Sequence, residues 1–321
     1  MNRRFAVIQA LFSLVALAAV VWWASRQDAP QLPSSGHAYT WLIVGAALYA
    51  VATLLRGERW HRILHMIGVP AERADSYALT TVGYMGNNVL PARAGEMLRV
   101  VLLSRRTDAS KRSLLGTVVA ERLLDAVALG SIFFVVVYGI LRKTTLPSDR
   151  PLLVAVAALV LFALGLVAFR VLRKRGALER LHDFFRPLAG APRALLSRDG
   201  VVLLSGSFVI WAVEAAVYLC VARSVGLEIS GMGALYVVAI TNLFAMLPAA
   251  PGYVGTFDAA VVFGVKAIGG SGSAGFSYLI LLRFVLFVPI TLVGLVTLVV
   301  RYGGWSRLRS AVRAEAAEAS A

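Results

Sequence analysis

The sequence predicts an all-α polytopic membrane protein with about six transmembrane helices and two re-entrant helical hairpins in an inverted-topology repeat. Three observations lead there. Of 321 residues, 59% are hydrophobic and 15% are charged, against roughly 25% charged in a soluble domain. Apolar runs long enough to cross a bilayer as helices recur along the chain. Two further apolar regions are cut by proline and glycine near their centres. No polar block is long enough to form a separate soluble domain, so residues 1–321 read as one membrane domain.

The elements follow in order. The first run, 5–24, comes after a basic start and resembles a signal peptide, but it is long for one and ends at Trp22 and Trp23, which suit a membrane interface. It reads as an uncleaved first helix. Runs at 39–55, 113–141, 151–170, 200–222 and 276–300 supply the other five spans. The broken regions are 77–104, with Pro91 and Gly95, and 231–268, with Pro248, Pro251, Gly252 and Gly255. Proline removes a backbone donor, and an unpaired backbone group in hydrocarbon costs several kcal/mol. A break at membrane depth is therefore tolerable only against protein or a wet cavity. Both regions are expected to enter and leave by one face and to line such a cavity, with half-helix ends aimed into it. The alternative for the first is a proline-kinked surface loop. The stretch "GSGSAG" at 270–275 fits G-x-G-x-x-G, but no strand precedes it, so it reads as a flexible loop before the last span. Residues 306–321 form a small polar tail, expected to fray.

Charge sets the expected topology. With the N-terminus inside and each broken region a hairpin, the cytoplasmic pieces are 1–4, 56–76, 91–112, 170–200 and 301–321, holding 24 of the 32 Lys and Arg. Reading 77–90 as a full span would put the basic 170–200 loop outside, against the positive-inside rule. Half one, about 1–145, and half two, about 146–305, then hold three spans each, so the second half is inverted. "LPARAG" at 90–95 and "LPAAPG" at 247–252 echo each other, and Asn87, Asn88 and Asn242 precede the two prolines. This plan places the chain in the plasma or inner membrane with both termini cytoplasmic.

The net charge is +15, but the basic residues cluster at the ends of apolar runs, so anionic lipid rather than nucleic acid is the expected partner. The single cysteine, Cys220, rules out an internal disulfide and a multi-cysteine metal site. His61 and His65, four apart with Glu58 nearby, make a poor metal site, and no metal or cofactor motif is expected. The informative charges lie within apolar segments. Arg93, Glu96 and Arg99 are spaced three apart; Glu121 and Asp125 stack on one helix face with Arg122 about 100° round. Charges at membrane depth usually face the interior and pair. They could form a purely structural network, Arg93 or Arg99 with Glu121 or Asp125, or hold a ligand. Glu214, mid-span, needs a partner or a proton, and Asp258 with Arg283 could make a matching pair in the second half.

The motifs "NVLPARAGE" (88–96), "ERLLD" (121–125) and "LPAAPGYVGTFD" (247–258) resemble the lysylphosphatidylglycerol synthase transmembrane, or flippase-like (UPF0104-type), family over nearly the whole chain. Asp258 stands where a glutamate is more usual. The resemblance implies a lipid translocase. Arg93, Arg99, Arg122 and Arg283 would hold phosphate, while Glu96, Glu121, Asp125 and Asp258 would orient them or bind a cationic head group or a proton. Asn87, Asn88 and Asn242 complete the expected cavity. The lipid would be an anionic phospholipid or an isoprenoid-linked lipid. No counterpart of the soluble aminoacyl-transferase domain is present in the sequence, so a separate lipid-modifying transferase is a possible partner. A membrane-embedded enzyme and a non-catalytic partner of a lipid- or glycosyltransferase are the alternatives.

Overall fold

A computed structural model describes residues 35–90, 93–140, 197–245, 251–270 and 272–304, with single positions at 22, 25, 33 and 195. The expected spans at 5–24 (apart from residue 22) and 151–170, Pro91, Pro248 and the C-terminal tail 306–321 lie outside the described residues. All regular elements among the described residues are helices. They are α1 (Gly36–Met66), α2 (Arg73–Val89), α3 (Ala94–Ser104), α4 (Lys111–Phe134, continued by a π-turn to Ile140), α5 (Arg198–Ser224), α6 (Gly231–Ala245), α7 (Thr256–Ala267) and α8 (Gly272–Tyr302).

Local chemistry accounts for many boundaries. Ser35 and Ser110 cap α1 and α4, accepting hydrogen bonds from Ala38 N at 3.2 Å and Ser113 N at 3.1 Å. Glycines at positive φ follow the ends of α1, α5 and α7: Gly68, Gly226 and Gly269. The run expected at 39–55 extends at both ends, and α1 continues to Met66 with Arg56 and Arg59 buried. One expectation is corrected. Residues 272–275, expected in a loop, begin α8, since Gly272 and Gly275 each cost only about 1 kcal/mol in a helix and the apolar run behind them continues without a break.

Among the described residues, three helices are long and apolar enough to cross a membrane: α1, α5 and residues 274–302 of α8. Their exposed faces are apolar, with Val44, Val51 and Leu54 on α1, Val201, Val202 and Val209 on α5, and Leu292, Val293 and Val296 on α8. At 31 residues, α1 and α8 are each about 46 Å long, more than the roughly 30 Å of bilayer hydrocarbon.

The two broken regions fold as antiparallel helix pairs. In the first, Asp75 meets Arg106 while Gly83 faces Arg99 and Gly86 faces Gly95. A Cβ on Gly95 would lie 2.0 Å from Gly83 O and 2.4 Å from Asn87 N, so only glycine allows this crossing. In the second, Gly233 faces Ile268 while Gly264 faces Val237 and Ile240. Both pairs lie along α8 but approach from opposite ends. Beside α7, Val265 is near Gly275 and Phe257 is near Phe287. Beside α2, Asn88 bonds Thr291, Met85 and Thr81 abut Gly294, and Asp75 bonds Arg301. The tips of the two pairs therefore meet at the middle of α8.

Apolar packing lies on either side of a polar belt at this level. Along α4, Leu114 and Val118 join one cluster with Trp60, Leu79, Val82, Leu103 and Leu298. Glu121, Arg122 and Asp125 follow, and then Ala128 and Leu129 join a second cluster with Val217, Tyr218, Val237, Val261 and Leu282.

Candidate functional site

The polar belt is held by five arginines and four carboxylates from four helices and one tip. Arg56 of α1 bonds Glu214 of α5, both side chains being 5% exposed. Arg59, one turn on, donates to Asp125 Oδ1 and Ser207 Oγ, each at 2.8 Å, and lies 3.8 Å from Glu121. Arg99 of α3 bonds Glu121 and lies over the Trp60 ring at 4.6 Å. Arg93 donates to Glu96 at 2.7 Å. Arg122 is the least committed. It stands 3.6 Å from Glu96 and 3.5 Å from Asp125, at the limit of ion pairing, and at 31% exposed its side chain is the most open of the five. With all nine groups ionised, the belt carries one positive charge in excess.

The tips touch through unusual backbone. Arg93 (φ 55°) and Tyr253 (φ 55°) are the non-glycine residues at positive φ among the described residues, one at each tip. Such conformations cost of order 1–3 kcal/mol and persist where the surroundings enforce them. Here the two residues hold each other: the Arg93 guanidinium lies 5.8 Å from the Tyr253 ring and donates to Ala245 O at 3.1 Å. Gly252, at φ 63°, brings its backbone against Asn88 O.

Between the tips lies a chamber of about 80 Å³, lined by polar side chains of Tyr49, Arg56, Tyr84, Asn88, Arg93, Arg122, Asp125, Trp211, Glu214 and Asn242, with Tyr253, Phe257 and Phe287 closing it. That is room for roughly five to eight waters. Arg56 Nη1, Trp211 Nε1 and the Nε atoms of Arg93 and Arg122 are buried without a hydrogen-bond partner among the described residues. A buried donor left dry costs about 1–3 kcal/mol, so such a chamber favours water or a polar ligand. A smaller hollow of about 10 Å³ adjoins it, lined by Asn87, Glu96, Arg99, Glu121 and Arg122 among others.

The candidate residues thus divide. Asn88, Arg93, Arg122, Asp125 and Asn242 line the main chamber; Asn87, Glu96, Arg99 and Glu121 line the small one. Asn242 donates to Glu214 Oε1 at 3.2 Å. Asp258 and Arg283 stand outside both and bond each other, with Arg283 also donating to Gly252 O at 3.2 Å and Asp258 accepting from Gly255 N at 2.8 Å. Their geometry braces the second tip. Gly95, expected at the break itself, lies in the first turn of α3 against Gly86, whereas Gly252 and Gly255 occupy the second tip and Pro251 opens the short 3-10 turn Pro251–Tyr253. Glu96 and Asp258 share a position: each is the third residue of the half-helix that leaves its tip, where a carboxylate complements the helix dipole.

Sequence reasoning missed Arg56 and Arg59. Their signal was the i, i+3 spacing in "RGER" directly after an apolar run, which sets both on one face of a continued helix.

Away from the belt, at the open end of the first pair, Asp75 Oδ1 accepts from Arg106 Nη1 at 2.7 Å, Arg301 Nε at 2.9 Å and Tyr302 Oη at 3.0 Å. Burial pushes this carboxyl up, but those hydrogen bonds outweigh it and hold Asp75 below the usual carboxylate range. The clamp ties the base of the first pair to the end of α8.

Residues 7–294 match the family described as the lysylphosphatidylglycerol synthase TM region. The chain belongs to that family. A UPF0104 membrane protein of Methanocaldococcus jannaschii is 24% identical over 216 residues, which is 65% of this chain and 90% of that protein. A UPF0104 membrane protein of Methanothermobacter thermautotrophicus is 22% identical over 319 residues, 90% of this chain and 92% of the relative. The protein named glycosyltransferase AglD of Haloferax volcanii is 23% identical over 316 residues, covering 83% of this chain but 50% of AglD. No solved structure matches. This member of the family is therefore a membrane protein whose described residues form helices around a charged interior.

Proposed function

We propose that this protein is a lipid translocase that passes the head group of an anionic phospholipid or isoprenoid-linked lipid through the chamber between the two tips. The observation that carries the reading is the chamber itself: lined by Arg56, Arg93 and Arg122 with Asp125 and Glu214, it holds one positive charge in excess within a chain whose outer faces are apolar. A single anionic head group balances that charge. Arg122 is the first ligand for its phosphate, because its existing ion pairs are long. Arg93 is the second. A phosphate competing with Ala245 O and Glu96 for its guanidinium loosens the contact between the tips. In this reading the two helix pairs are re-entrant, dipping in from opposite faces as inverted repeats, and parting of the tips opens the chamber to each face in turn. Acyl or prenyl chains stay in the bilayer, and both termini are cytoplasmic.

The test is reconstitution of the pure protein into vesicles with a fluorescent head-group-labelled anionic lipid, bleached from outside. A translocase takes the bleached fraction well beyond the outer-leaflet half, and Arg122→Gln removes that excess while the protein stays folded. Bleaching that stops at half with the intact protein would overturn the reading. A second reading has one observation in its favour. The match spans half of a relative named as a glycosyltransferase, so a non-catalytic membrane partner for a separate lipid- or sugar-transferring enzyme would give bleaching that stops at half but co-purification with such an enzyme.

A further inference from the structure

Beside the chamber, on the other side of the α1–α8 seam, lies a groove of about 410 Å³, five times the chamber's volume. It is lined by Tyr39, Leu42 and Ala46 of α1 and Leu281, Val285 and Pro289 of α8, with Ile43 and Phe284 at its rims. Its floor, Leu281 and Val285, is buried, whereas Tyr39, Ile43 and Phe284 are more than half exposed. The groove is apolar throughout, and both helices are long and apolar enough to cross a membrane. Water is a poor occupant of such a space, because a buried water needs two to four polar partners.

Proximity to the chamber points to the occupant. Leu42, Ala46, Tyr49, Thr53 and Arg56 recur every three or four residues and form one stripe along α1. Its first two residues line the groove, while Tyr49 and Arg56 line the chamber. On α8 the consecutive residues Val285 and Leu286 face the groove and the chamber respectively. An amphiphile at this seam meets hydrocarbon on one side and guanidinium on the other.

We infer that the groove holds one hydrocarbon chain of the lipid whose head group occupies the chamber, so that lipid enters between α1 and α8. The inference rests on the translocase reading for its head-group half. It also fixes an orientation. Along α1 the groove residues lie toward the N-terminal end and the buried arginines lie further on, about 15 Å from Ala46 to Arg56. The bound lipid therefore points its head toward the Asp75–Arg301 end and its chain away from it. That is the orientation of a lipid in the leaflet on the Asp75 side, the face expected to be cytoplasmic.

Photolabelling tests this without requiring transport. Two forms of phosphatidylglycerol are used in reconstituted vesicles, one with a diazirine near the end of an acyl chain and one with a diazirine on the head group. The chain probe is expected to label Tyr39, Ile43 or Phe284 about tenfold more than the exposed residues Leu292, Val293 and Val296, the ratio a 1.4 kcal/mol preference gives. The head-group probe is expected on chamber residues. Ala46→Trp, which fills the groove, should remove the preferential chain label and leave the head-group label and melting temperature in place. Chain label spread evenly over the exposed faces of α1 and α8 overturns the inference, whatever the bleaching assay gives. Chain label in the groove with no head-group label in the chamber also overturns it, since the groove would then hold ordinary boundary lipid. Correct labelling with no transport would instead count against the translocase reading alone.

Discussion

Glu214→Gln offers a quantitative check on the charged belt. Glu214 and Arg56 are each 5% exposed and face each other across α1 and α5. Gln keeps the volume and can still accept from Asn242, but it leaves Arg56 buried without a counter-charge and raises the belt's excess from one positive charge to two. Removing one member of a buried pair costs about 3–5 kcal/mol; the retained contact argues for the lower end, about 3 kcal/mol. At roughly 2 °C per kcal/mol for a chain of this size, the melting midpoint in detergent should fall by about 6 °C. The double variant Arg56→Met/Glu214→Leu removes both charges and should recover most of the loss, because an apolar pair can replace a buried ion pair at little cost. The assay is differential scanning fluorimetry at one scan rate, with near-native helicity checked by circular dichroism. A Glu214→Gln midpoint within a degree of the parent, or a double variant as unstable as the single, would refute the reasoning.

Three further outcomes are expected. Arg122→Gln should leave the midpoint within about 2 °C, since its ion pairs are long and partly exposed, whereas Arg59→Gln, with both bonds at 2.8 Å, should lower it as Glu214→Gln does; thermal melts of the two distinguish ligand-holding from structural arginines. Gly95→Ala forces a Cβ within 2.0 Å of Gly83 O and should cost at least about 1–3 kcal/mol, while Gly130→Ala on α4, with nothing within 4 Å, should gain about 0.5–1 kcal/mol; both are read as shifts in midpoint. Asp75 has its folded pKa held down, so its clamp contributes fully above the ordinary aspartate value of about 3.9 and is lost as pH falls through the lower folded value. The gap in midpoint between parent and Asp75→Asn should therefore stay constant from about pH 8 to 5 and close below about pH 4.

Much of this architecture is legible from periodicity and punctuation. Apolar runs mark α1, α5 and α8; Gly95, at the start of α3, and the glycines at 252 and 255 mark where the two broken regions turn. Spacing also brings out the Arg99–Glu121 and Asp258–Arg283 pairs, because a charge inside an apolar run must find a partner. Arg56 and Arg59 escape this logic. They follow the last apolar residues of a run, where hydropathy reads any arginine as the start of a loop, and a charge that turns inward looks the same in sequence as one that faces water. Nor could spacing show that Arg93 would bond Ala245 O, 152 residues away; that contact depends on two tips arriving at the middle of α8 from opposite ends. The split among the arginines is likewise a property of the fold: Arg99 and Arg283 are consumed by carboxylates, while Arg122 is left with long contacts.

A wet chamber between the tips, inside an otherwise apolar body, can be probed directly. Ala245 lines the chamber with a small side chain, so Ala245→Cys in a Cys220→Ser background places one thiol there. In sealed vesicles, a charged, membrane-impermeant thiol reagent should modify this cysteine much faster than one at exposed Val296, and added anionic lipid should slow the reaction. Modification at Ala245→Cys no faster than at Val296→Cys would contradict a wet chamber.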